Sequence, residues 1–155
     1  MGEHITIESY ERSLVVGIAF EYLKTPYHPC AKLKGIGVDC LTLLSCVFED
    51  AGLVENVPLP NYSPQFMMNR SDEQYMSGLL EYTHEIHTPP KPGDIVLWKF
   101  GRCFSHSAIV VEWPIVIHAH IGSGTQLEDV SKAVWLSDMK DGSPRPRKFF
   151  SYWGG

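Results

Sequence analysis

GVDCLTLLSC, residues 37–46, sets an aspartate and then a cysteine directly ahead of an apolar run. Leu41, Leu44, Val47, Phe48 and Ala51 recur at helical spacing and Gly52 closes the run, which predicts a helix from Cys40 to about residue 51. Asp39 has the chemistry of an N-cap, because its carboxylate accepts hydrogen bonds from the unpaired N–H groups of a first turn. Cys40 then lies in that turn, beside the positive end of the helix dipole, where thiolate is favoured over thiol.

Upstream, Leu14, Val15, Ile18, Ala19, Tyr22 and Leu23 predict a helix over residues 9–24 that ends before Thr25-Pro26. The linking stretch TPYHPCAKLKGIGV is rich in proline and glycine and reads as an irregular loop. Downstream, residues 53–70 form a proline-broken connection. Ser71-Asp72-Glu73-Gln74 has the form of a capping box opening a third helix through about Ile86, and TPPKPGD stops it.

Beyond residue 93 the pattern changes. DIVLWKF (94–100), HSAIVVE (106–112), IVIHAH (115–120), AVWLS (133–137) and KFFSYW (148–153) are rich in β-branched and aromatic residues and read as strands. Helices first and strands afterwards predict an α+β fold, with N-terminal helices packed on a C-terminal antiparallel sheet. A length of 155 residues with 44% hydrophobic and 20% charged residues fits one domain, residues 1–155.

A formal charge of -5 argues against a nucleic-acid partner, which needs a concentrated basic surface. No stretch approaches the roughly 18 apolar residues of a membrane span, so no membrane insertion is expected. The N-terminus lacks an apolar signal region, and synthesis in the cytoplasm without a signal peptide is the expectation. Four cysteines in such a chain, with no C-x-x-C pair, favour reduced thiols. Cys46 is expected to pack within its helix and Cys103 to be exposed in a turn, while Cys30, in the loop between Tyr27 and Cys40, stays open between a structural role and a place near the cleft.

Cys40 is thus open to four readings: small hydrophobe, half of a disulfide, metal ligand or nucleophile. A nucleophile needs a base, usually an imidazole held in one tautomer by a third group. A hairpin around Glu112-Trp113-Pro114 brings His106, at the start of one strand, beside His118, near the end of the next. One ring then receives the thiol proton while the other orients it. His120 shares the side of the strand on which His118 lies, so it stays open as the third member.

The ordered set LKTPY, GVDCLTLLSCVFEDAGL, KPGDIVLWK, SHSAIVVE, IVIHAH and GSGTQLEDV resembles the NlpC/P60 cysteine peptidases, papain-like enzymes that trim bacterial cell-wall peptides. The loop YHPCAKLKGIGVDC is most similar to members encoded by phages and prophages as tail-associated peptidases. The resemblance implies a papain-like fold, with Cys40 as nucleophile, His106 as general base and later acid, and His118 as the third member. It implies Tyr27 as a hydroxyl near the developing oxyanion. The implied substrates are stem peptides of peptidoglycan, commonly cut at a D-γ-glutamyl to diamino-acid bond, with phage tail proteins as partners and delivery in a virion. That chemistry requires no metal and no organic cofactor. Thr42 departs from the family, which often has glycine there, and the Trp-Gly-Gly stretch of many exported members is missing after Tyr27.

Three rivals stand beside this reading. Cys40, His106, His118 and His120 are ligand types for zinc, although structural sites prefer local ligand pairs. A lipid-directed acyltransferase on the same scaffold is a second, against which the Cys-before-His order argues. The last is a non-enzymatic tail-tip or assembly component with an idle site.

Overall fold

A computed structural model of the chain describes residues 5–58 and 74–154. Helix α1, Ile7–Glu21, opens on a capping box in which Thr6 Oγ1 accepts from Ser9 N and Ser9 Oγ from Thr6 N. A two-stranded ribbon follows, β1 (Lys32–Leu33) with β2 (Gly37–Val38), inside the stretch read as an irregular loop. Helix α2 is Cys40–Asp50, and Gly52, in the left-handed region at φ 74°, ends it as the sequence predicts.

Helix α3 is Gln74–Leu80, and the chain then turns into strand β3, His84–Ile86. The helix expected through Ile86 therefore stops six residues early. Residues 84–86 pair antiparallel with 149–151, so strand pairing overrides the local helical period. Of the expected capping box, residues 71–73 lie outside the described residues.

Strands β4 (Ile95–Phe100), β5 (Cys103–Glu112), β6 (Ile115–His120), β7 (Gly124–Asp129) and β8 (Arg147–Ser151) complete a six-stranded antiparallel sheet of order β3-β8-β4-β5-β6-β7. The β5–β6 hairpin turns where the sequence predicts, with Ile109 opposite Ile117 and Val110 opposite Val116. Strand β7 carries polar Gln126, Glu128 and Asp129 and was not expected, and β5 begins three residues before His106.

The expected strand 133–137 is a short helix, α4 (Val134–Ser137), which follows a 3₁₀ turn at Val130–Lys132. The sheet's architecture explains this. Ile95, Leu97, Ile109, Ile117, Ala119 and Phe150 pack with Val15, Ile18, Leu43 and Val47 of α1 and α2. The alternate residues Val96, Trp98, Ala108, Val110 and Val116 pack with Val130, Ala133 and Leu136. With its two faces covered, the central strands read as unbroken apolar runs, and Leu136, fully buried, contributes about 2 kcal/mol of burial to the second face.

Asp94, at the mouth of β4, is buried and accepts from Arg12 at 2.9 Å, and the Arg12 guanidinium lies 4.3 Å over the Trp153 ring. That pair fastens α1 to the sheet. Among the described residues no helix is long and apolar enough to cross a membrane.

Candidate active site

Asp39 caps α2 as expected, and does so from a buried position. Its Oδ1 accepts from Leu41 N at 2.9 Å and Thr42 N at 2.8 Å, while Oδ2 accepts from Cys30 N at 2.7 Å. Such bonds compensate a carboxylate taken out of water. Thr42, buried, returns a bond by accepting from Asp39 N at 2.7 Å. Its side chain closes the cap.

Cys40, partly buried in the first turn, lies against β5 where that strand carries His106. Its thiol donates to Ser105 O at 3.5 Å, Ser107 Oγ donates to Cys40 O at 2.9 Å, and Tyr75 Oη donates to Cys40 Sγ at 3.8 Å. Tyr75 Oη and Ser107 Oγ also share a short hydrogen bond. The thiol thus contacts the main chain flanking His106. No hydrogen bond joins it to a histidine among the described residues.

The expectation of a thiolate is corrected here. Burial, reinforced by the Asp39 carboxylate, pushes the Cys40 thiol up to about 12, and the bonds from Tyr75 and Ser107 offset only part of that rise. At the start of a helix the dipole lowers a thiol, but the cost of placing charge in a dry environment is larger.

Tyr27 is held beside Cys40 by main-chain pairing. Val38 N donates to Pro26 O and His28 N to Val38 O, so residues 26–28 run along the strand leading into Asp39 and Cys40. Gly37 permits this approach, because a Cβ there would meet the His28 Cβ at 2.8 Å and its ring Cδ2 at 2.9 Å. Burial first, then the nearby Cys40 and Asp39, raise the Tyr27 phenol above its ordinary value, so it stays a neutral donor. Its hydroxyl makes no hydrogen bond among the described residues.

His106 and His118 meet across the hairpin, with Nε2 of His106 2.9 Å from Nδ1 of His118. His120, on the same side of β6, lies 6.2 Å from His106 between ring centroids and makes no such bond among the described residues. Trp135 of α4 stacks on His118 at 5.8 Å and reaches His120 at 4.3 Å, while Trp98 stacks on His106 at 5.9 Å. Burial is the first cause that lowers all three imidazoles, His106 well below the usual range and His118 to about 4. At neutral pH the cluster is uncharged, and Nδ1 of His106 is the ring nitrogen not engaged by His118.

Two hydroxyls near the thiol, Tyr75 and Ser107, were not legible in the sequence as site residues. Ser107 adjoins His106 in the SHSA stretch, which was its only signal, and nothing local in the α3 sequence points Tyr75 at a thiol. Of the other cysteines, Cys46 is buried in its helix, Cys30 is exposed, and Cys103 is buried, contrary to the expectation of an exposed turn. Cys103 opens β5 and so lies inside the sheet. Among the described residues no group of three or more histidine, cysteine or acidic side chains is arranged to hold a metal ion.

This arrangement offers a neutral thiol at a helix start and a neutral imidazole whose outer nitrogen is engaged by a second imidazole. These are the residue types that nucleophilic attack with proton transfer draws on, although no hydrogen bond links thiol to imidazole among the described residues. Comparison with known proteins gives a family model, described as NlpC/P60 family, that matches residues 24–142. Among solved structures, the chain is similar to the NlpC/p60 domain of peptidoglycan hydrolase SagA, with a TM-score of 0.52 and 20% identity over 77% of this chain and 90% of that one. It is similar to NlpC1 from Trichomonas vaginalis, with a TM-score of 0.61 and 15% identity over 99% of this chain, which spans 48% of that protein. A third is RipD from Mycobacterium tuberculosis, described as a non-catalytic NlpC/p60 domain protein, with a TM-score of 0.53 and 14% identity over 91% of this chain and 96% of that one. Likeness at these identities speaks for the fold. Among curated proteins, none matches the chain.

Proposed function

Because the chain belongs to the NlpC/P60 family, we propose that it is a cysteine peptidase that hydrolyses an amide bond in the stem peptides of peptidoglycan. The observation that carries this reading is the placing of Cys40 against the main chain of β5 on each side of His106, whose Nε2 is engaged by His118 at 2.9 Å.

In this reading Cys40 starts as a thiol. Its proton passes to Nδ1 of His106 as sulfur attacks the amide carbon, and Nε2 of His106 keeps its hydrogen bond to His118. The Cys40 N–H, one of the unpaired donors of the first turn, and the Tyr27 hydroxyl face the oxyanion. The C–N bond breaks as His106 protonates the leaving amine, which leaves a thioester on Cys40. A water activated by His106 then releases the acid and restores the thiol. None of these steps calls for a metal or cofactor.

Two finer parts rest on the resemblance of sequence alone: cleavage at a D-γ-glutamyl to diamino-acid bond, and association with a phage tail, suggested by the loop form of residues 27–40. Virion delivery after cytoplasmic synthesis goes with the second.

One observation favours another reading. The thiol makes no hydrogen bond to imidazole among the described residues, as suits a domain that binds peptidoglycan without cutting it, the function RipD is described as adapted to. Mass spectrometry of purified muropeptides, incubated under reducing conditions with the wild type and with Cys40→Ala, separates the two. Release of fragments by the wild type alone supports the peptidase and names the bond. Binding by each protein with cleavage by neither supports the binding domain.

A further inference from the structure

His118 is fully buried, and its Nε2 has no hydrogen-bond partner among the described residues. Oε1 of Glu128 lies 3.7 Å away, within ion-pair distance but just beyond hydrogen-bond length. Glu128 stands on β7 opposite Val116, and Gln126 stands opposite His118, so these two β7 side chains share the face of the sheet on which His118 lies. Gln126 Nε2 donates to Glu128 Oε1 at 3.4 Å, which steadies the carboxylate on the side facing the ring.

The contact acquires meaning from the proton count of the two rings. Each neutral imidazole carries one N–H, and the nitrogens facing one another at 2.9 Å need one hydrogen between them. If Nδ1 of His106 is to accept a proton from Cys40, the hydrogen of His106 must sit on Nε2 and be donated to Nδ1 of His118. The hydrogen of His118 must then sit on Nε2, aimed at Glu128. In the opposite tautomer His118 donates from Nδ1, His106 accepts at Nε2, and its own hydrogen occupies the nitrogen meant for the thiol. A carboxylate beside Nε2 of His118 favours the first arrangement, because a buried N–H gains an acceptor there.

We propose that Glu128 is a positioning residue that fixes the hydrogen of His118 on Nε2 and so leaves Nδ1 of His106 bare for the thiol proton. The inference rests on the peptidase reading for its consequence, though the bonding can be judged alone. Gln126 supports Glu128, and Trp135 stacks on His118, on which the tautomer depends.

The test combines nitrogen-15 ring spectra of the histidines at neutral pH with muropeptide turnover, for the wild type, Glu128→Gln and Glu128→Leu. The wild type is expected to carry hydrogen on Nε2 of His106 and of His118. In Glu128→Leu part of the His118 signal moves to Nδ1–H and kcat falls roughly tenfold with KM unchanged, in line with the loss of a group that orients an imidazole. Glu128→Gln keeps an acceptor oxygen and restores the ring pattern and most of the rate. Should the leucine variant fail to fold, the wild-type and glutamine spectra decide. A wild-type His118 protonated on Nδ1, or a leucine variant with the wild-type ring pattern, overturns the proposal. A wild type that releases no muropeptide fragment counts against the peptidase reading, while the ring pattern still judges Glu128.

Discussion

Compared with the histidine cluster, the thiol wall of the site is tied down by the main chain. Around Cys40 the bonds run from Asp39 to the N–H groups of Leu41, Thr42 and Cys30, from Ser107 to Cys40 O, and from the thiol to Ser105 O. The imidazole wall has one ring-to-ring bond, aromatic neighbours, and a carboxylate that stops short of His118. A helix start sets the position of a nucleophile from a few neighbouring residues, whereas a base on a strand depends on partners brought from several parts of the chain. The thiol wall should therefore tolerate changes elsewhere that the imidazole wall does not.

If the two walls act as one unit, His106→Ala should cost as much as Cys40→Ala, roughly 10³-fold or more in kcat. The double variant should then be no slower than either single one. Steady-state turnover of muropeptides measures this, and additive losses would mean that the walls work separately.

Removing the cap strikes the thiol wall alone. Asp39→Ala leaves three N–H donors without their acceptor and should cost about 3 kcal/mol in urea unfolding. Asp39→Asn should cost less and, by removing the neighbouring charge that raises the thiol, speed alkylation of Cys40 by iodoacetamide near pH 8. Equal alkylation rates in Asp39→Asn and wild type would exclude the charge as a cause.

Protonation separates the walls by direction. In the folded chain His118 is lowered to about 4 and His106 well below its usual range, whereas the unfolded chain protonates them near 6.5. The unfolded state then binds more protons, so stability is full above about pH 6.5. It falls as the pH drops toward 4, by about 1.4 kcal/mol per unit for each ring. Cys40 is raised, so its effect lies at the other end: stability holds below about pH 8.5 and declines above it. Urea midpoints between pH 4.5 and 7.5 test the acid limb, which should flatten in His118→Gln.

Much of the thiol wall was legible before any coordinates. Asp39, Cys40 and the apolar run behind them carry local signals, and a cap needs only its own next three residues. The meeting of His106 and His118 was legible too, because a short hairpin fixes which residues face across it. The choice between His118 and His120 was not, since strand alternation puts them on one side and only the lateral offset from His106 tells them apart. Tyr75 and Glu128 reach the site from α3 and β7, whose sequences say nothing about where those elements dock. The protonation of Cys40 escaped for a related reason: the dipole is a local property, while burial is decided by the whole fold. Strand-like composition misled at 133–137, where Val134, Trp135 and Leu136 cover a sheet face as a helical turn.

The two oxygens of Asp39 serve different masters, one the start of α2 and the other the N–H of Cys30 in the preceding loop. The loop that carries Tyr27 and the helix that presents the cysteine therefore form one mechanical piece, tied by Asp39 at its start and by the Lys32–Glu49 ion pair at 2.8 Å further along. For anyone grafting a relative's loop onto this chain, the unit to transplant is residues 27–42 with the aspartate in place. A shorter exchange would alter the loop and loosen the cysteine in the same stroke.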